Sequence, residues 1–147
     1  MESDDQVLEQ ISRDECLRLM GSVPVGRIVY TRQALPAVEL VNFTMDDREI
    51  VIRTDASGKL AAATRGAVVA FETDSLDTAG HCGWSVTVVG QSRAVTDSAD
   101  IRRLEKLAPM PWAPGKRDHF IRVSAELVSG RRIRARKSTE NADARRI

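Results

Sequence analysis

A chain of 147 residues, with 22 lysines and arginines against 21 aspartates and glutamates, is long enough for one domain whose core needs neither a disulfide framework nor a structural metal. Two cysteines, Cys16 and Cys82, make no framework, and the opening residues lack the basic and apolar regions of a signal peptide. No apolar run nears the roughly 18 residues needed to span a bilayer, so a cytoplasmic protein without membrane insertion is expected. The net charge of +1 hides an asymmetry: Glu2, Asp4, Asp5 and Glu9 open the chain, and Arg131, Arg132, Arg134, Arg136, Lys137, Arg145 and Arg146 close it. No aromatic residues interleave with these arginines, which argues against a nucleic-acid partner.

In chain order, Ser12-Arg-Asp-Glu15 reads as a capping box, followed by Cys16, Leu19 and Met20 at helical spacing up to Gly21. Three β-rich runs separated by turn residues come next: Val25–Thr31, Ala37–Met45 and Glu49–Arg53. A short helix is predicted over Ser57–Thr64, closed by Arg65-Gly66, and Ala67–Thr73 returns to strand character. Asp74–Gly83 reads as a loop, and Trp84 to Gly90 as a strand continuing to Val95. Thr96, Asp97 or Ser98 caps a second amphipathic helix with Ile101 and Leu104 inward. Three prolines exclude regular structure from Ala108–Gly115, and His119–Val128 reads as the last strand. The pattern predicts a mainly β fold, a split antiparallel barrel of about six or seven strands with a few short helices. One domain is expected over residues 1–133, with a basic, flexible tail over residues 134–147.

The strongest chemical signal lies where the Glu49–Arg53 strand meets the short helix. Arg53, Thr54, Ser57, Gly58 and Lys59 crowd one turn, where helix-start N–H groups, two cations and two hydroxyls suit a phosphate. Ser57 capping the helix, with Lys59 in water, is the plainer reading of the same residues. Gly58-Lys59 is no P-loop, since Arg53 stands where that motif needs glycine and Leu60 where it needs Ser or Thr. His81, Cys82, His119 and Cys16 lack zinc-ligand spacing, and neither histidine has a partner that suggests haem. Trp84 and Trp112 are the only tryptophans. Core packing or a planar ring suits Trp84; a lid or subunit contact suits Trp112 in its Pro-rich loop.

Four runs in order, Val23-Pro-Val-Gly-Arg-Ile-Val-Tyr30, Leu35-Pro-Ala-Val-Glu-Leu-Val-Asn-Phe43, Val51-Ile-Arg-Thr-Asp-Ala-Ser-Gly-Lys-Leu60 and Gly83-Trp-Ser-Val-Thr-Val-Val-Gly90, resemble the pyridoxamine 5′-phosphate oxidase-like family of FMN-binding split barrels. The likeness covers about residues 12–133 and is nearest to the small actinobacterial-type branch. It implies a homodimer with a flavin at the subunit interface and a small-molecule substrate, hence a flavin-dependent oxidoreductase. By match to the family, Arg53, Thr54, Ser57 and Lys59 hold the FMN phosphate, and Val41, Asn42 and Phe43 line the isoalloxazine ring. Trp84 and Ser85 approach the cofactor from the far side, and Trp112 reaches it from the partner. The family's Arg-x-His substrate element is reduced to Arg117-Asp118-His119, so pyridoxamine phosphate is not the expected substrate. Two alternatives stand beside this reading. One is a reductase using an 8-hydroxy-5-deazaflavin coenzyme, with Arg131, Arg132 and Arg134 as its basic groove; the other is a flavin-storing module without turnover.

Overall fold

A computed structural model describes residues 6–54, 58–107 and 119–135. The elements are β1 (Gln6–Gln10), α1 (Arg13–Met20), β2 (Val25–Arg32), β3 (Leu35–Asp46), β4 (Glu49–Thr54), α2 (Lys59–Thr64), β5 (Val68–Asp77), β6 (Cys82–Ala94), α3 (Ser98–Leu107), β7 (His119–Val123) and β8 (Leu127–Ala135). Among the described residues no helix is long and apolar enough to cross a membrane.

Local chemistry sets the helix starts. The Glu15 N–H donates to Ser12 Oγ at 3.3 Å, as the capping box predicts, and the Asp100 N–H donates to Asp97 Oδ2 at 3.0 Å at the start of α3. At α2 the cap position is Gly58, in a left-handed conformation (φ 68°) with no side-chain cap hydrogen bond. The helix therefore starts two residues later than the predicted Ser57, which itself lies outside the described residues.

The strands run in the order β1-β8-β6-β5-β2-β3-β4-β7, and β6 pairs again with β7, so β6, β5, β2, β3, β4 and β7 close an antiparallel barrel. Closure removes the open edges of those six strands. β1 and β8 extend the sheet outside it. The split comes from β6, whose Gly83 to Val89 pair with β8 while Ser92 to Ala94 pair with β7 along the same edge. Between the two stretches stands Gly90, where the chain crosses from β7 to β8. A Cβ there would lie 1.7 Å from the Ser124 carbonyl oxygen, closer than any side chain permits.

Alternation fills the barrel. Ile28, Phe43, Ile50, Ile52, Phe71, Val86, Val88, Ile121 and Val123 point inward and are buried, with Phe43 and Phe71 meeting edge to face at 4.8 Å between centroids. Cys16, Leu17, Leu19 and Met20 of α1 plug one side of this core. Outside it, Leu104 of α3 packs with Val51 and Phe120. The β3–β4 turn is tied down by charge: Arg122, 9% exposed, reaches both Asp46 and Glu49, Arg103 takes Asp46 through two nitrogens, and Arg93 takes Glu49 at 2.7 Å. Hydrogen bonds from Arg103 and then Arg122 hold the Asp46 carboxyl down at about 2.

Two expectations are corrected, and one strand is added. Asp74–Gly83 is no loop: β5 continues to Asp77 and β6 begins at Cys82, leaving a tight hairpin tip, because strand pairing overrides the polar composition. His119–Val128 is two strands, parted at Ser124 to Glu126 where the chain changes sheets. Gln6–Gln10 forms a strand without a β-rich pattern of its own, recruited by the edge of β8, with Glu9 bound to Arg134 at 2.8 Å.

Candidate functional site

The predicted phosphate residues gather at one end of the barrel. Thr54 ends β4 opposite His119 on β7, buried, and its hydroxyl donates to the His119 carbonyl at 3.4 Å. Arg53, one position earlier, faces outward with its guanidinium 5.5 Å from the Phe120 ring centroid, a cation–π stack that fixes its stem. Gly58 enters α2 beside the His119 imidazole, which lies 3.9 Å from where a Cβ would be. Lys59 follows, exposed, as the first helical residue. Two cations, a histidine ring and the turn at Gly58 thus share one rim. His119 is the member that sequence reasoning placed in a strand without a role; its register opposite Thr54 is what brings it here. α2 spans only six residues, so its dipole adds little and charge on Arg53 and Lys59 dominates.

Val41, Asn42 and Phe43 lie on β3 beside this rim. Phe43 pairs with Ile52, and continuing that register by one residue brings Asn42 alongside Arg53. Phe43 itself is buried in the core; Val41 and Asn42 are half-buried. Trp84 and Ser85 stand elsewhere. They sit near the start of β6, whereas the phosphate rim lies past its end, since Ala94 pairs with Ile121 and Thr54 with His119 two residues on. From Ser85 to Ala94 is nine residue steps, roughly 30 Å along the strand, while across β4, β3, β2, β5 and β6 the registers carry Arg53, Asn42, Val25, Asp74 and Ser85 in one row, roughly 19 Å round the barrel wall. Trp84 is half-buried, packed against the main core. Trp112 lies outside the described residues.

The outer face of the sheet has an order that only the register reveals. Leu127, Val89, Ala70, Val29 and Val38 form one apolar row across five strands. Next to it runs Ser129, Thr87, Glu72 and Arg27, then Gln10, Arg131, Ser85 and Asp74. Beyond these, Leu8, Ile133 and Leu76 return to apolar character. Over the β1, β8 and β6 part of the face opens a cleft of about 590 Å3, lined by Leu8, Gln10, Ser85, Thr87, Ser129 and Arg131 among others. Of the basic residues predicted to form a groove, Arg132 binds Glu15 at 3.2 Å and Arg134 binds Glu9. Arg131 makes no side-chain hydrogen bond or ion pair among the described residues.

At the other end of the polar rows, Arg27 Nη1 bridges Glu72 at 3.3 Å and Asp74 at 3.1 Å. Burial first, and the neighbouring Asp74 second, push the Glu72 carboxyl up to about 7, against the pull of Arg27. The folded protein then keeps a proton that the unfolded chain releases near the ordinary value of 4.5, so this group favours folding below that value, and the advantage is lost as pH rises to about 7. Glu72→Gln is expected to raise the melting temperature above about pH 8 and to leave it unchanged below about pH 4. Equal shifts at both ends of a thermal-melt series would contradict the elevated carboxyl.

The sequence profile of the pyridoxamine 5′-phosphate oxidase family matches residues 12–132. An uncharacterized protein of Mycobacterium tuberculosis is 38% identical over 135 residues, 88% of each chain. Among solved structures, a FAD binding protein from Mycobacterium smegmatis is 32% identical with a TM-score of 0.67, covering 86% of this chain and 98% of that one. A structure from Corynebacterium glutamicum, provisionally named a pyridoxamine 5′-phosphate oxidase, is 29% identical with a TM-score of 0.75 over the same shares. With the profile spanning the barrel from α1 into β8, the chain belongs to the pyridoxamine 5′-phosphate oxidase family.

Proposed function

We propose that this chain is a flavin-binding oxidoreductase that grips FMN by its phosphate at the Arg53–Lys59 turn and acts on a small organic substrate. The observation that carries the reading is the convergence of Arg53, Thr54, Gly58, Lys59 and His119 on one rim of the barrel. Two cations beside a glycine turn suit a dianion, because charge-assisted donors are about twice as strong as neutral ones. The Mycobacterium smegmatis relative, named for FAD binding, adds support for a flavin. A bound flavin supplies the two-electron chemistry; the chain anchors the phosphate and shields the ring with Val41 and Asn42.

Two copies share each cofactor in this reading. The family resemblance implies a flavin at the subunit interface, with the phosphate rim on one side of it and Trp84 and Ser85 approaching from the far side. A homodimer with two such clefts follows, and unpaired Cys16 and Cys82 suit a reducing cytoplasm.

The test is the ligand itself. Purified protein is expected to release FMN on denaturation, identified by absorption spectrum and mass, and to take FMN up in a titration. Tighter uptake of FAD or of the 8-hydroxy-5-deazaflavin coenzyme would reassign the cofactor, and uptake of none would end the proposal. Substrate-dependent reoxidation of the reduced flavin separates an enzyme from a storage module.

A further inference from the structure

We propose that two copies of the chain pair through the outer sheet face around Val29, Val38 and Leu40, and that pairing takes up a proton at the Glu72–Asp74 carboxylates, so that rising pH releases the copies. This rests on the homodimer reading above and adds its regulation. The face is apolar although it meets water in a single chain: Val38, Leu40, Val68 and Leu127 are 63%, 64%, 67% and 68% exposed. They adjoin the row of Val89, Ala70 and Val29 on one continuous surface. An exposed apolar patch of this extent marks a contact surface. A second copy fits it because an apolar row complements itself across a two-fold axis.

Charge sets the proton dependence. Arg27, which faces Leu40 across β2 and β3, is the one cation reaching both carboxylates, through the same nitrogen. Glu72 and Asp74 are two apart on β5 and so stand on the same face. On the β6 side they meet Thr87 and Ser85, which carry no charge, and the next charged group along their rows among the described residues is Arg131, across β6 on β8. With both carboxylates ionised the cluster has one negative charge in excess. Its side chains are 42%, 29% and 25% exposed for Arg27, Glu72 and Asp74, so water still screens that charge in a single chain. A second copy removes the water and, by symmetry, brings an identical negative cluster into the same interface. A proton on Glu72 cancels the excess and leaves Asp74 to Arg27. Burial already pushes the Glu72 carboxyl up to about 7, and covering it moves it further the same way. The advantage to the dimer is therefore complete below about 7 and fades as pH rises beyond it.

Sedimentation equilibrium of the purified full chain, over a dilution series and with flavin absorbance read in the same scans, tests the linkage. Between about pH 6 and about pH 9 the dimer dissociation constant is expected to rise by about tenfold or more. It is expected to stay level in Glu72→Gln and in Asp74→Asn, where one cation meets one carboxylate at every pH. Val38→Asp, which sets a charge in the apolar row, is expected to remain monomeric throughout and so locates the face. A wild-type constant that stays level with pH would overturn the inference, as would one that falls, since a cation of the partner would then hold the pair. A pH dependence kept by both amide variants, or Val38→Asp dimers as tight as wild type, would overturn it too. Monomer at every pH would remove this inference together with the homodimer reading. A pH-linked dimer that takes up no flavin supports the inference and removes the flavin reading alone, so the two fail separately.

Discussion

Gly90→Ala is expected to cost about 3 kcal/mol or more, a large share of the roughly 5–15 kcal/mol that keeps a domain folded. The added methyl would be placed 1.7 Å from the Ser124 carbonyl oxygen and 2.8 Å from its carbon, both backbone atoms that cannot rotate away. Relief requires moving either β6 or the β7–β8 crossing. The first breaks the hydrogen bonds between Ser124 N–H and Gln91 O at 3.1 Å and between Ser92 N–H and Ala67 O at 2.8 Å; the second pulls Arg122 from Asp46 and Glu49. Gly66→Ala is a useful contrast, since none of the described residues lies within 4 Å of its Cβ position and its left-handed backbone (φ 66°) is what resists. That variant should lose about 1 kcal/mol. Urea denaturation of the two proteins side by side checks the difference. Equal midpoints would show that the crossing yields easily.

Lys59→Ala is expected to weaken FMN by roughly tenfold to a hundredfold, the worth of one charge-assisted hydrogen bond of about 1.5–3 kcal/mol. The barrel should be untouched, because Lys59 is exposed at the first position of α2 while the helix is anchored by buried Leu60 and Thr64, the latter receiving the Ser92 hydroxyl proton at 3.3 Å. Arg53→Ala should lose at least as much affinity, but it also removes the stack on Phe120, so its effect on binding must be read beside its thermal melt. Fluorescence quenching during FMN titration measures both variants. Wild-type affinity in Lys59→Ala would remove the phosphate from this rim.

The barrel strands and the capping box at Ser12 were legible because their signals are local: alternating Val and Ile, a hydroxyl three residues before a glutamate, turn residues between runs. The β5–β6 hairpin was not. Asp74, Ser75 and Asp77 look like loop residues, yet they lie on a sheet whose ladder with β6 runs unbroken from Val68 to Asp77. β1 was equally hidden, because Gln6–Gln10 gains its strand conformation from β8 and from the ion pair of Glu9 with Arg134, more than a hundred residues away in sequence. Within the site, Arg53, Gly58 and Lys59 could be picked out since they are contiguous, whereas His119 and the polar rows depend on register between strands distant in sequence. Glu72 carried no sequence signal at all: its raised carboxyl is produced by burial and by Asp74, which faces it only once the strand is formed.

Because β6 belongs to both sheets, the molecule has no seam along which half of it can open. Peeling β7 away frees Ser92 to Ala94 but leaves Gly83 to Val89 clamped between β5 and β8, and detaching β8 does the reverse. The amide protons of β6 should accordingly be the last to exchange with deuterated water, at rates that report loss of the whole fold rather than a local opening.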